Sequence, residues 1–186
     1  MPRNIFTFDP VERFVAGTVG EPGERTFFLQ ARTGKRVTSI VVEKAQVFVI
    51  AERMGLLLRE LRRNDPSMRI DLGATSALDD QPLEQPIFEE FRAGVMALTW
   101  LGDRELISIE LQALPESGEE SDELFSDDDD ESAPDLLRVI LTLAQAEAFA
   151  KRCLAVVNAG RLPCPFCGLP LDPRGHVCPR ANGYRR

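Results

Sequence analysis

The residues with the clearest chemical potential lie in the last 26 positions of a 186-residue chain, in the run PCPFCGLPLDPRGHVCPRANGYRR. Cys164 and Cys167 form a C-x-x-C pair followed at once by Gly168. A glycine there lets the backbone turn so that amide groups face the thiolates. His176 and Cys178 follow as an H-x-C pair. Three soft sulfurs and one borderline nitrogen make a Cys₃His set, the donor chemistry of tetrahedral Zn²⁺. The chain's one histidine falls inside this cluster. Four protein ligands leave no position for water, so the expected site is structural and not catalytic. The metal would supply the folding energy that so short a segment cannot draw from a core. The other cysteine, Cys153, sits in a helical pattern with Phe149, Val156 and Val157, and is expected to be a buried core thiol.

The rest of the chain offers no equally specific constellation. It contains no G-x-x-x-x-G-K-[ST] or G-x-G-x-x-G phosphate cradle and no G-x-S-x-G elbow. With the sole histidine assigned to metal, a Ser-His-Asp or Cys-His set is not expected, and the reading leans away from an enzyme. Should the protein be an enzyme with a pocket between its halves, Arg13, Arg25, Gln30 and Arg104 are the candidates for holding an anionic substrate. Asp9, Glu12, Glu43 and Glu89 do not separate from ordinary surface acids.

Charge is unevenly placed. The net charge is −8, yet residues 115–135 hold 11 acids and no base. Without that stretch, 19 acids face 22 bases. The stretch reads as a solvated, disordered acidic loop. Residues 161–186 carry Arg161, Arg174, Arg180, Arg185 and Arg186 against Asp172 alone. A basic metal-stapled tail with Phe166 and Tyr184 could contact RNA or another polyanion. Residues 1–160, at a net −12, work against strong binding of that kind. No apolar run approaches the roughly 20 residues of a membrane span, and no membrane association is expected. MPRNIFTFDP does not read as an export signal, so the expected compartment is the cytoplasm, where free thiols persist.

The elements that must position these groups follow from hydrophobic period. Strands are expected at Asn4–Phe8, Phe14–Val19, Arg25–Ala31, Val37–Val42, Phe91–Leu101, Glu105–Leu114 and Leu136–Leu141. Val47, Ile50, Ala51, Met54, Leu58 and Leu61 recur at steps of three and four, so a helix is expected over Glu43–Arg63. A second helix runs from Thr142 to Asn158, with Thr142 and Gln145 in capping-box spacing. Asn64–Pro86 reads as a long connection.

Three short matches recur in order. FVAG at 14–17 resembles FRAG at 91–94. Leu29-Gln30-Ala31 matches Leu111-Gln112-Ala113. EKAQVFVIAER from Glu43 matches TLAQAEAFAKR from Thr142. The expected architecture is α+β. A duplicated strand-strand-strand-helix unit, about 11–63 and 88–158, forms a mainly antiparallel sheet with two helices on one face, and a small zinc knuckle follows. The domain limits are 1–160 for the body and 161–186 for the Cys/His tail. A rough twofold rotation should relate the two units. Gln30 and Gln112, polar residues in apolar strands, are expected to face solvent.

FDPVERFVAGTVGEPGERTFFLQA near the N-terminus and CPFCGLPLDPRGHVCPRANGYRR near the C-terminus resemble a bacterial family known only as domain of unknown function 3090. The resemblance runs nearly the whole length of the chain and implies a bacterial cytoplasmic protein, but it transfers no activity. With no catalytic set in evidence, the leading expectation is a non-enzymatic binding or adaptor protein with an unknown protein partner.

Overall fold

The computed structural model describes residues 3–65, 79–115, 128, 130–160, 164–168, 171, 178 and 180. The strands are β1 (Ile5–Phe8), β2 (Arg13–Val19), β3 (Thr26–Thr33), β4 (Arg36–Val42), β5 (Glu89–Leu101), β6 (Leu106–Ala113) and β7 (Leu136–Thr142). The helices are α1 (Lys44–Asn64) and α2 (Leu143–Asn158). All seven strands join one sheet in the order β1-β7-β6-β5-β4-β3-β2. Four of its pairings are antiparallel, while β4–β5 and β1–β7 are parallel. The sheet is therefore mainly antiparallel, as expected from the hairpins. The parallel junctions arise where the chain crosses over from β4 by way of α1 and where the N-terminal strand joins the last one.

Alternation sets the inner face. Ala16, Leu29 and Ile40 fall in one row across β2, β3 and β4, and Leu98, Ile109 and Val139 in one row across β5, β6 and β7. These residues pack in one core with Val47, Ile50, Met54 and Leu58 of α1 and with Ala146, Phe149 and Cys153 of α2. Both helices thus lie on the same face of one continuous sheet. They run antiparallel, since Arg62 near the end of α1 meets Glu147 near the start of α2 at 2.8 Å. Phe149 stacks on Phe14 of β2 with ring centroids 4.5 Å apart.

The sheet is curled. Its two outermost strands, β1 and β2, are consecutive in sequence and joined by Asp9–Glu12 alone. That linker reaches about 17 Å even when extended, whereas the edges of a flat seven-stranded sheet lie about 29 Å apart. The edges therefore approach each other around the helices. Bonds from the β3–β4 hairpin to β1 and the linker hold them: Arg36 Nη1 donates to Thr7 O at 3.0 Å and Thr33 Oγ1 to Pro10 O at 3.2 Å. The Arg36 guanidinium also lies 4.6 Å over the Phe8 ring.

The two helices start alike. The N–H of Glu43 donates to Gln46 Oε1 at 2.8 Å, and that of Thr142 to Gln145 Oε1 at 2.9 Å. Each glutamine amide then reaches a backbone carbonyl beside a strand, Gln46 to Ala93 and Gly94, Gln145 to Val11. This second bond fixes each helix start against the sheet.

The connection between α1 and β5 is described from Asp79 onward and forms a strap across the outer face of β2–β4. Leu83 packs there with Val15, Phe28 and Val41. The strap corrects the expectation for Gln30. That residue does point outward, but it is only 1% exposed. Its Nε2 donates to Ser39 Oγ and to Glu84 O, and its Oε1 accepts from Glu84 N at 2.7 Å. Gln112 is likewise buried, and its Oε1 has no partner among the described residues. Strand alternation identifies a face, but whether water reaches that face depends on what crosses it.

Of the acidic loop, residues 116–127 and 129 lie outside the described residues. Its described end packs down. Asp128 binds Arg138 through two bonds of 2.7 and 2.8 Å, and Arg138 also binds Glu110. Among the described residues, no helix is long and apolar enough to cross a membrane.

Candidate metal centre

Cys164 and Cys167 are placed by a turn and not by a sheet or helix. α2 ends where Ala159 N donates to Ala155 O. Cys164 then opens a tight turn over Pro165–Cys167. Gly168 has φ +74°, in the left-handed region that suits glycine, and its N–H closes the turn on Cys164 O at 2.9 Å.

The Sγ atoms of Cys164, Cys167 and Cys178 all lie within 4.8 Å of one another. Those of Cys164 and Cys178 are 3.8 Å apart. Cys164 and Cys178 are buried and Cys167 is half-buried. Backbone N–H groups of Cys167 and Phe166 donate to the Cys164 sulfur and bring its thiol down to about 6. A thiolate is the metal-binding form. Three sulfurs at this separation could hold a metal ion. His176, the fourth expected ligand, lies outside the described residues.

The turn presents Phe166 outward, 64% exposed, while Arg180 Nη1 donates to its carbonyl at 3.3 Å. Of the tail arginines, only Arg180 falls within the described residues. Cys153 is fully buried within the helical core, and burial pushes its thiol up, out of reach of ordinary pH. It takes no part in the cluster.

The four residues proposed to hold an anionic substrate do not converge. Gln30 is under the strap. Arg104 is committed to Asp9 through two bonds of 2.7 Å. Arg13 binds Asp79, Gln81 O and Pro82 O, and its hydrogen bond holds the Asp79 carboxyl below the usual carboxylate range. Arg25 donates to Ala159 O at 2.7 Å, near the end of α2.

Sequence reasoning missed Arg152. It lies on the inward side of α2, is buried, and donates to Ala16 O at 2.7 Å and Gln81 O at 2.7 Å, and also to Asp79. It therefore pins the start of the strap to strand β2. Its helical step of three from Phe149 was the available signal.

The chain belongs to a family described as Protein of unknown function (DUF3090), whose model matches residues 6–178. No curated protein and no solved structure matches it.

Proposed function

We propose that the protein is a non-enzymatic binding or adaptor module of the bacterial cytoplasm whose C-terminal tail is stapled by a structural zinc ion. The observation that supports the zinc staple is the group of three thiols. A tetrahedral zinc with Zn–S bonds of about 2.3 Å separates its sulfurs by about 3.8 Å, and the Cys164–Cys178 separation of 3.8 Å suits that geometry. His176, two residues before Cys178, is the fourth ligand in this reading. The set Cys164, Cys167, His176 and Cys178 closes the coordination shell. The ion would order residues 161–186 as a small unit beside the body at 1–160, and catalysis by the metal is not part of the proposal.

In this reading the body is a duplicated pair of strand-strand-strand-helix units. Support comes from the repeated element order and the matching glutamines at both helix starts.

The experiment is elemental analysis of protein purified under reducing conditions, followed by affinity capture. Close to one zinc per chain is expected. A partner retained by wild type and lost with Cys164→Ser/Cys167→Ser would support the adaptor role. Absence of zinc in fresh wild-type protein would refute the staple, and turnover of a metabolite with no retained partner would refute the adaptor role.

A second reading, RNA binding through the tail, draws on the exposed Phe166 beside Arg180. Salt-dependent binding of a single-stranded RNA that is lost in Phe166→Ala would favour it.

A further inference from the structure

Helix α1 fills the core with one side, through Val47, Ile50, Ala51, Met54 and Leu58. On the opposite side Val49 is 46% exposed and Leu56 50% exposed, with Phe48 at the edge of the same face. Val49 and Leu56 are seven residues apart, so they lie nearly in line along the helix, two turns from each other. An apolar side chain exposed singly needs no explanation. Two in line begin the kind of seam along which helices pair.

The charges beside this line identify the partner. Residues 52–60 read ERMGLLLRE, a palindrome of charge centred on Leu56. At about 100° per residue, Glu52 and Arg59 fall about 40–60° to one side of Leu56, and Arg53 and Glu60 equally far to the other. All four are exposed, and none forms an ion pair among the described residues. Within one helix each acid lies about 10 Å along the axis from the base on its own side. A second α1 laid antiparallel on the first, with a twofold axis at Leu56, keeps each side against its own copy and reverses its order. Glu52 then comes level, to within about 1.5 Å, with Arg59 of the second copy, and Arg53 likewise with Glu60. Leu56 meets Leu56, and the aliphatic stem of Arg63 covers Val49. A parallel pairing also sets acids beside bases, but it stacks Arg63 on Arg63 and aligns the two helix dipoles.

We infer that the exposed face of α1 is a self-association surface, on which a second copy of this chain docks antiparallel about a twofold axis at Leu56 through four reciprocal Glu–Arg pairs. So small an apolar seam suits a weak, reversible dimer and not an obligate one. The surface is independent of the metal centre.

Sedimentation velocity of the full-length chain in reducing buffer, over a concentration series reaching about 1 mM, tests the inference. Wild type should pass from monomer to dimer. Leu56→Glu, at an exposed position, should raise the dimer dissociation constant about tenfold or more with circular dichroism unchanged. Glu52→Arg and Arg59→Glu should each weaken the dimer by a similar factor, since each sets like charges together across the axis. The double variant Glu52→Arg/Arg59→Glu should return to within about threefold of wild type, because antiparallel docking merely exchanges the partners. In a parallel pairing the same double variant sets arginine beside Arg53 and glutamate beside Glu60, and stays weak. A monomeric wild type throughout the series, a dimer indifferent to Leu56→Glu, or a double variant as weak as the single ones overturns the inference.

Discussion

Replacing Gly17 with alanine tests whether the strap is seated on the outer face as described. A methyl group at this position in β2 would lie 2.6 Å from Leu83 Cγ and 2.7 and 2.9 Å from its two Cδ atoms. Leu83 is buried against Val15, Phe28 and Val41, so its side chain cannot swing away into solvent. Forcing a methyl into such a contact costs about 1–3 kcal/mol. Loss of glycine's freedom in the unfolded chain returns about 0.4–1 kcal/mol. The net expectation is a loss of up to about 2.6 kcal/mol, centred near 1.3.

Gly94 in β5 is the internal control. A methyl there would come within 2.9 Å of Leu114 Cδ2 and 3.3 Å of Leu114 Cα; Leu114 is 51% exposed and its terminal carbons can move aside, so the backbone need give only a few tenths of an ångström. Gly94→Ala should therefore cost clearly less than Gly17→Ala, about 1 kcal/mol at most. Leu83→Ala alone should cost about 2–5 kcal/mol as a cavity. The double variant Gly17→Ala/Leu83→Ala should lose less than the two single losses summed, because the new methyl occupies space that the leucine vacates. Urea unfolding followed by far-ultraviolet circular dichroism and by the fluorescence of Trp100 measures all four. Equal effects of Gly17→Ala and Gly94→Ala, or strict additivity with Leu83→Ala, would show that the strap does not lie on Gly17.

Phe149→Ala, which removes a buried ring stacked on Phe14, should lower stability by about 3–5 kcal/mol in the same assay, and Leu58→Ala by about 2–5. Cys164→Ser/Cys167→Ser should eliminate bound zinc by elemental analysis while circular dichroism of the body is retained. The Asp79 carboxyl is held low chiefly by its hydrogen bond from Arg13, so its stabilisation is full above the ordinary carboxylate range and is lost as pH falls through the folded value. The stability gap between wild type and Asp79→Asn should thus be open at neutral pH and close as pH falls below about 4. Deleting Glu116–Ser132 with a short Gly-Ser joint removes the Asp128–Arg138 ion pair, worth at most about 1 kcal/mol at this exposure, and should leave a single cooperative unfolding transition.

The helix starts were legible because their signals are local. Thr142 and Gln145 satisfy each other's neighbouring N–H groups within four residues, whatever the rest of the chain does. The seven strands were legible for the same reason, through alternation and turn residues. The cysteine cluster was legible because ligand type and spacing constrain one another. Harder to read were features made by distant segments. Gln30 looks like a solvent-facing polar residue until Glu84, 54 positions later, crosses beneath it. Arg152 looks like one more surface base beside Lys151 until Ala16 and the strap supply its acceptors. The parallel junctions carry no composition signal, since a buried strand is apolar whichever way its neighbour runs.

The pairing of β1 with β7 has a consequence for synthesis. Ile5–Phe8 leave the ribosome well before their partners, Leu136–Val139, which are made more than a hundred residues later. Until then the nascent chain holds an unpaired apolar strand, β1, and a sheet that is not yet closed. Both are templates for pairing with another chain. Translation at about 5–20 residues per second leaves that interval open for several seconds or more. A chain stalled or truncated before Leu136 has no route to closure. Such fragments should be clients of holdase chaperones and substrates for degradation, and the released full-length chain should become protease-resistant in one late step.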